Sequence, residues 1–233
     1  MDKSFNYLIS PEISQLREFS PKLKIAILAS GEGSNFQELI DLSNSNKFDI
    51  DIKILITNKS GAGCISRAIN SNILYKVIKS SDYENKDYFE DEIINTIKKQ
   101  DIELVVMAGW MKIMSSKFVN EFKNKIINIH PSLLPSFKGS NAIKEAILND
   151  SKITGCSVHF VEPEVDSGPL IMQAALAISD KDNLETITQK LHLLEHKILP
   201  LSISQAGYII RNKFMGNDLS FLTHYLLVNQ ILD

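Results

Sequence analysis

The chain has 233 residues, and its 25 Lys and Arg against 28 Asp and Glu give a formal net charge of −3, so no general electrostatic pull toward nucleic acid or anionic membrane is expected. Its 44% hydrophobic and 23% charged residues are ordinary for a globular protein, and the length suits one large α/β domain with appendages or two small ones. No apolar run reaches the roughly 20 residues that span a bilayer. The N-terminal MDKSFNYLISPEISQLREF has charges where a signal peptide would be apolar, and Cys64 and Cys156 lack CxxC spacing, so a cytoplasmic protein without disulfides or a zinc ribbon is expected.

In chain order, residues 1–22 read as an extension. Ser10 can cap a short helix with Pro11 at its first position, docking Ile13, Leu16 and Phe19 on the body. Residues 24–29 (KIAILA) form an apolar run stopped by Ser-Gly, a buried-strand signature, and 36–42 follow with helical periodicity. Further strands are expected at 50–57, 74–78, 104–108 and 126–130, with a charged helix over 87–99. This alternation predicts an α/β fold: one open, mostly parallel twisted sheet with helices on both faces. After Pro131 come a loop, a helix over 142–148, strands at 155–161 and 170–177, and a long helix from Asn183 that Pro200 should kink or end. The main domain therefore covers 23–212, and the apolar residues of the tail, 213–233, suggest a helix covering the body or a partner subunit.

Ser30-Gly31-Glu32-Gly33-Ser34-Asn35 lies between the first strand of the domain and its helix. Glycines let a backbone approach an anion, while free N–H groups at a helix N-terminus point at it. A plain βα turn would use the same residues. A dinucleotide fingerprint needs a small residue at Phe36 and an acid closing the next strand, which ends Thr57-Asn58-Lys59; a Walker A loop needs Gly-Lys-Ser/Thr, absent here. A monophosphate fits better.

Asn128-Ile129-His130 closes the fifth strand of the domain. Residues two apart share a face, so the amide and imidazole would point together toward the crevice at the carboxyl ends of the strands. Such a pair can stabilise an oxyanion and handle protons, although two polar residues can equally just cap a strand end. Downstream, EPEVDSGP carries three carboxylates between prolines; if that loop folds over the sheet, Asp166 is best placed to pair with an imidazole. His159 alternates with Val158 and Phe160 and fits a satisfied structural histidine, with a supporting role near Asp166 as the alternative.

The segments KIAILASGEGSN, LVVMAGWMKIM, NIHPSLLPSFKG, GCSVHFVEPEVDSGPLIMQ and LLEHKILPL, in this order over about 23–210, closely resemble the glycinamide ribonucleotide formyltransferases. These are a branch of the 10-formyltetrahydrofolate enzymes, whose other members share the Asn-x-His and Asp-x-Gly-Pro parts. The resemblance implies Asn128, His130 and Asp166 as catalytic residues and Gly33, Ser34, Asn35, His192 and Glu195 for the nucleotide substrate. For the folate it implies Lys86, Met111, Lys112, Ile113, Met114 and Asn128, with Glu162, Pro163, Glu164, Val165 and Asp166 in the loop over the pteridine. It further implies 10-formyltetrahydrofolate as cosubstrate, no metal, no nucleic acid or membrane partner, and a monomer or homodimer. A formyltetrahydrofolate hydrolase and a non-catalytic nucleotide- or folate-binding protein are the alternatives.

Three positions depart from the family pattern: Trp110 for Phe, Lys112 for Arg and Asn141 for His. Lys86 also stands where an arginine is frequent, and lysine cannot reproduce arginine's bidentate fork. His192-Leu-Leu-Glu195-His196 happens to spell an H-x-x-E-H zinc motif, but no glutamate follows Glu195 to complete it.

Overall fold

The computed structural model describes residues 5–212, so the expectation for the tail lies outside the described residues. Eight strands, β1 (Tyr7–Ser10), β2 (Leu23–Leu28), β3 (Ile50–Thr57), β4 (Tyr75–Val77), β5 (Leu104–Met107), β6 (Ile126–His130), β7 (Ile153–Phe160) and β8 (Leu170–Ala177), form one sheet in the order β1-β8-β7-β6-β5-β2-β3-β4. Six helices accompany them: α1 (Ser34–Asn44), α2 (Gly63–Asn70), α3 (Lys86–Lys98), α4 (Ser116–Glu121), α5 (Ala142–Leu148) and α6 (Leu184–Arg211). Pairing is parallel from β4 through β3, β2 and β5 to β6, and antiparallel from β6 through β7 and β8 to β1.

The period of two along each strand divides the core. Ile25 and Ile27 of β2 and Leu104 and Val106 of β5 pack with Phe36, Leu39, Cys64, Leu191 and Leu194, on the side of α1, α2 and α6. Ala26, Leu28, Val105 and Met107 face Phe89, Ile93, Ile97 and Phe118 of α3 and α4 on the other side. Strands buried on both faces read as continuous apolar runs, which is why these segments were legible as strands. Chain order reverses direction around β2, with β3 on one side and β5 on the other. Open α/β sheets bind ligands in the crevice outside the carboxyl ends of strands at such a point.

One expectation needs correction and another is narrowed. No helix follows Ser10 over residues 11–19; the residues before them form a strand, β1, which adds antiparallel to the edge of β8, with Ile9 opposite Ala174. The free edge of β8 offers Tyr7-Leu8-Ile9 a ready backbone ladder, and Pro11, which has no N–H, follows where pairing stops. Ile13, Leu16 and Phe19 still pack against the core, without a helix. Pro200 does not end α6, which runs 28 residues to Arg211. Pro200 cannot donate to the carbonyl of His196, but Ile198, Leu199, Ile203, Ala206 and Ile209 are buried around it, and that packing offsets the missing bond. Two short helices, α2 with eight residues and α4 with six, fall below the length over which a helical period is read from sequence.

Candidate active site

A cleft of about 790 Å³ opens over the carboxyl ends of β2, β5 and β6, lined mainly by residues 31–35, 107–114, 128–131 and 139–144, with His159, Asp166, His192 and Glu195. At one end, Gly33 precedes α1 with φ 72° and no side-chain cap. The first helical bond is Gln37 N–H to the Gly33 carbonyl, so the N–H groups of the first turn are free to meet an anion. Glycine is required at position 33 both by its left-handed backbone and by space: a Cβ there would sit 2.7 Å from Cys64 Cβ.

Asn35, implied for the nucleotide substrate, has its side chain partly committed within the protein. Its Nδ2 donates to Glu195 Oε2 at 2.8 Å, tying α1 to α6. Its Oδ1 is buried without a protein partner, an acceptor that a ligand N–H would satisfy. Glu195 is 7% exposed. Burial pushes its carboxyl above the usual range, against the Asn35 hydrogen bond and the nearby His192. His192 lines the same end of the cleft. Among the described residues, no group of three or more His, Cys, Asp or Glu is arranged to hold a metal ion.

The central wall is built at the seam between the parallel and antiparallel halves. β6 places Asn128 and His130 on one side, and antiparallel β7 sets His159 opposite Asn128. His130 is buried, with Nε2 2.8 Å from the Phe137 carbonyl and Nδ1 3.4 Å from Asp166 Oδ2. Both neighbours are acceptors, so the arrangement is satisfied when both ring nitrogens carry hydrogen. Asp166, held at φ 48°, also accepts the Gly139 N–H at 2.8 Å. Burial raises the Asp166 carboxyl, but hydrogen bonds from His159 and Gly139 and the charges of the two imidazoles prevail and lower it to about 2. It is therefore a carboxylate at neutral pH.

His159 has partners at both ring nitrogens, as expected of a satisfied histidine, and it also stands next to Asp166. Its Nδ1 contacts the Phe160 carbonyl at 2.7 Å, and its Nε2 stands 3.3 Å from Asn128 Nδ2 and 3.6 Å from Asp166 Oδ1. A neutral ring accepts from Asn128 and a charged ring donates to Asp166; either way His159 orients a neighbour that faces the cleft. Sequence spacing could not reveal this, because it depends on which strand lies beside β6. The Phe137 carbonyl and Gly139 N–H, backbone groups in a loop with φ values of 52° and 90°, have no side-chain signature.

Residues 110–114 form a further wall of the cleft. Met111 and Ile113 are 65% and 66% exposed, whereas Met114 is buried, with its Sδ 3.2 Å from Trp110 Nε1. Lys112 lines the cleft here, and Glu162, Pro163 and Val165 line it from the β7–β8 connection. Lys86 and Glu164 fall outside the lining: Lys86 Nζ lies 3.6 Å from Glu90, and Glu164 meets Lys138 at 3.4 Å.

Amide, imidazole and carboxylate on one wall, with a helix N-terminus free for an anion at the end of the same cleft, make an α/β site suited to moving an acyl group onto a phosphorylated acceptor. The chain matches the formyl transferase family over residues 23–203, and it belongs to that family. It is 39% identical over 182 residues to the phosphoribosylglycinamide formyltransferase of Bacillus subtilis (strain 168), covering 78% of this chain and 93% of that protein. To the trifunctional purine biosynthetic protein adenosine-3 of Homo sapiens it is 40% identical over 182 residues, 78% of this chain. The chain spans 14 to 18% of the length of the trifunctional relatives. The solved phosphoribosylglycinamide formyltransferase from Bacillus halodurans superposes with a TM-score of 0.76 at 35% identity, covering 78% of this chain and 94% of that one.

Proposed function

We infer that this protein transfers the formyl group of 10-formyltetrahydrofolate to the amine of glycinamide ribonucleotide, a step of purine biosynthesis, in the cytoplasm and without a metal. The observation that carries this reading is the His130–Asp166 pair beside Asn128, in a cleft that is also lined by the N-terminus of α1. The N–H groups after Gly33 take the ribose phosphate. Asn35 Oδ1 and Glu195 receive the glycinamide end. The exposed side chains of Met111 and Ile113 and the backbone of residues 111–114 receive the folate, with 162–166 over its pteridine.

The uncharged amine attacks the formyl carbon directly. Asn128 Nδ2 and His130 Nε2 donate to the oxyanion of the tetrahedral intermediate, which requires Nε2 to exchange the Phe137 carbonyl for the substrate oxygen. Asp166 keeps Nδ1 protonated, and a water beside it relays the amine proton to the departing folate nitrogen.

Tetrahydrofolate release from 10-formyltetrahydrofolate, followed with and without glycinamide ribonucleotide, tests the reading. Release that depends on the nucleotide and yields formylated product is the expected result. Release without it would make the protein a hydrolase, and no release in either case would leave a binding protein.

A further inference from the structure

Ser30 is the first residue of the phosphate loop, yet its polar atoms face the folate wall. It is 2% exposed; its N–H donates to the Gly109 carbonyl at 3.0 Å, and its Oγ accepts the Met111 N–H at 3.0 Å. The far end of the same wall has a separate anchor: fully buried Glu90 of α3 accepts the Ser115 N–H at 2.8 Å and the Ser115 hydroxyl. The wall is thus a bow pinned at both ends. One pin belongs to the nucleotide loop and the other does not.

We propose that Ser30 is a positioning residue that couples the two substrate sites, so that a phosphate seated on the α1 N-terminus fixes the loop, and through Ser30 Oγ fixes the backbone of Met111 that meets the folate. This rests on the function inferred above. A ligand that shifts the loop shifts the Met111 backbone with it, and linkage makes the effect reciprocal. Glu90 holds the wall without touching the loop, so it sets folate affinity but not the coupling.

Calorimetric titration of tetrahydrofolate, alone and with saturating glycinamide ribonucleotide, gives two dissociation constants that no reaction disturbs. In the natural protein their ratio is expected to be about fivefold or more. Ser30→Ala should bring the ratio within about twofold of unity and raise KM for the folate more than it lowers kcat. Glu90→Gln should weaken both arms and leave the ratio intact. A loss of packing alone would lower the melting temperature of either variant without separating them in this way. A natural protein that binds both compounds with a ratio of one, or a Ser30→Ala protein that keeps the natural ratio, overturns the coupling and spares the functional reading. A natural protein that binds neither compound overturns both.

Discussion

The parallel and antiparallel halves of the sheet build the site by different means. In the parallel half, β2 and β5 end at the cleft and hand over to loops, and what they supply is largely backbone: the free N–H groups before α1 and the wall at residues 110–114. The antiparallel half supplies side chains through register and return: His159 by lying opposite Asn128, and Asp166 through the β7–β8 connection. β6 belongs to both halves. Recognition can rest on strand ends, whereas the charge pair needs two chain segments fixed against each other, and the seam provides that.

Breaking the antiparallel contribution should have the largest effect. Asp166→Asn should reduce turnover by about 10²- to 10⁴-fold while nucleotide affinity, measured by calorimetry, stays within about twofold. Unchanged turnover would show that the seam does not carry the chemistry. At the nucleotide loop that the parallel half supplies, Glu195→Gln from α6 keeps an acceptor for Asn35 but removes the charge, so KM for the nucleotide should rise by about tenfold with a smaller change in kcat. Steady-state kinetics would separate the two.

Gly33→Ala sharpens the comparison from the backbone side. The left-handed φ and the 2.7 Å approach to Cys64 should cost about 1–3 kcal/mol of stability, read as a lower denaturation midpoint, and should weaken nucleotide binding. The smallest effect expected is on acid stability. Folding lowers the Asp166 carboxyl from 3.8 to about 2, so its contribution is complete above about pH 4 and is lost as pH falls toward 2. Asp166→Asn should flatten the stability profile across that window and leave it unchanged in slope near neutrality.

Much of the fold was legible because strands buried on both faces are uninterrupted apolar runs, and β3, β6, β8 and α5 fall where the pattern put them. β1 was not legible: four residues are too few to show a period, and they become a strand because the edge of β8 is there to pair with them. At Pro200 the local rule allowed a kink or an end, and the end is excluded because the surrounding helix is buried. In the site, Asn128, His130 and Asp166 could be singled out by residue type, spacing and family resemblance. The protein partners of Lys86 and Asn35 could not be read the same way: Lys86 lies near Glu90 and the Asn35 amide donates to Glu195, contacts between groups that spacing does not connect.

The sequence by itself determined the open α/β sheet, the glycine-bearing loop before α1 and the shared face of Asn128 and His130, because these depend on local periodicity and on residues close along the chain, whereas the meeting of Asp166 with His130 needed the seam. The tertiary structure decided that His159 stands beside Asn128, that Phe137 and Gly139 hold His130 and Asp166 with backbone atoms, and that Ser30 joins two loops. Those contacts connect segments about 7 to 80 residues apart, and they exist because strand order and register bring the segments together, which local sequence does not specify.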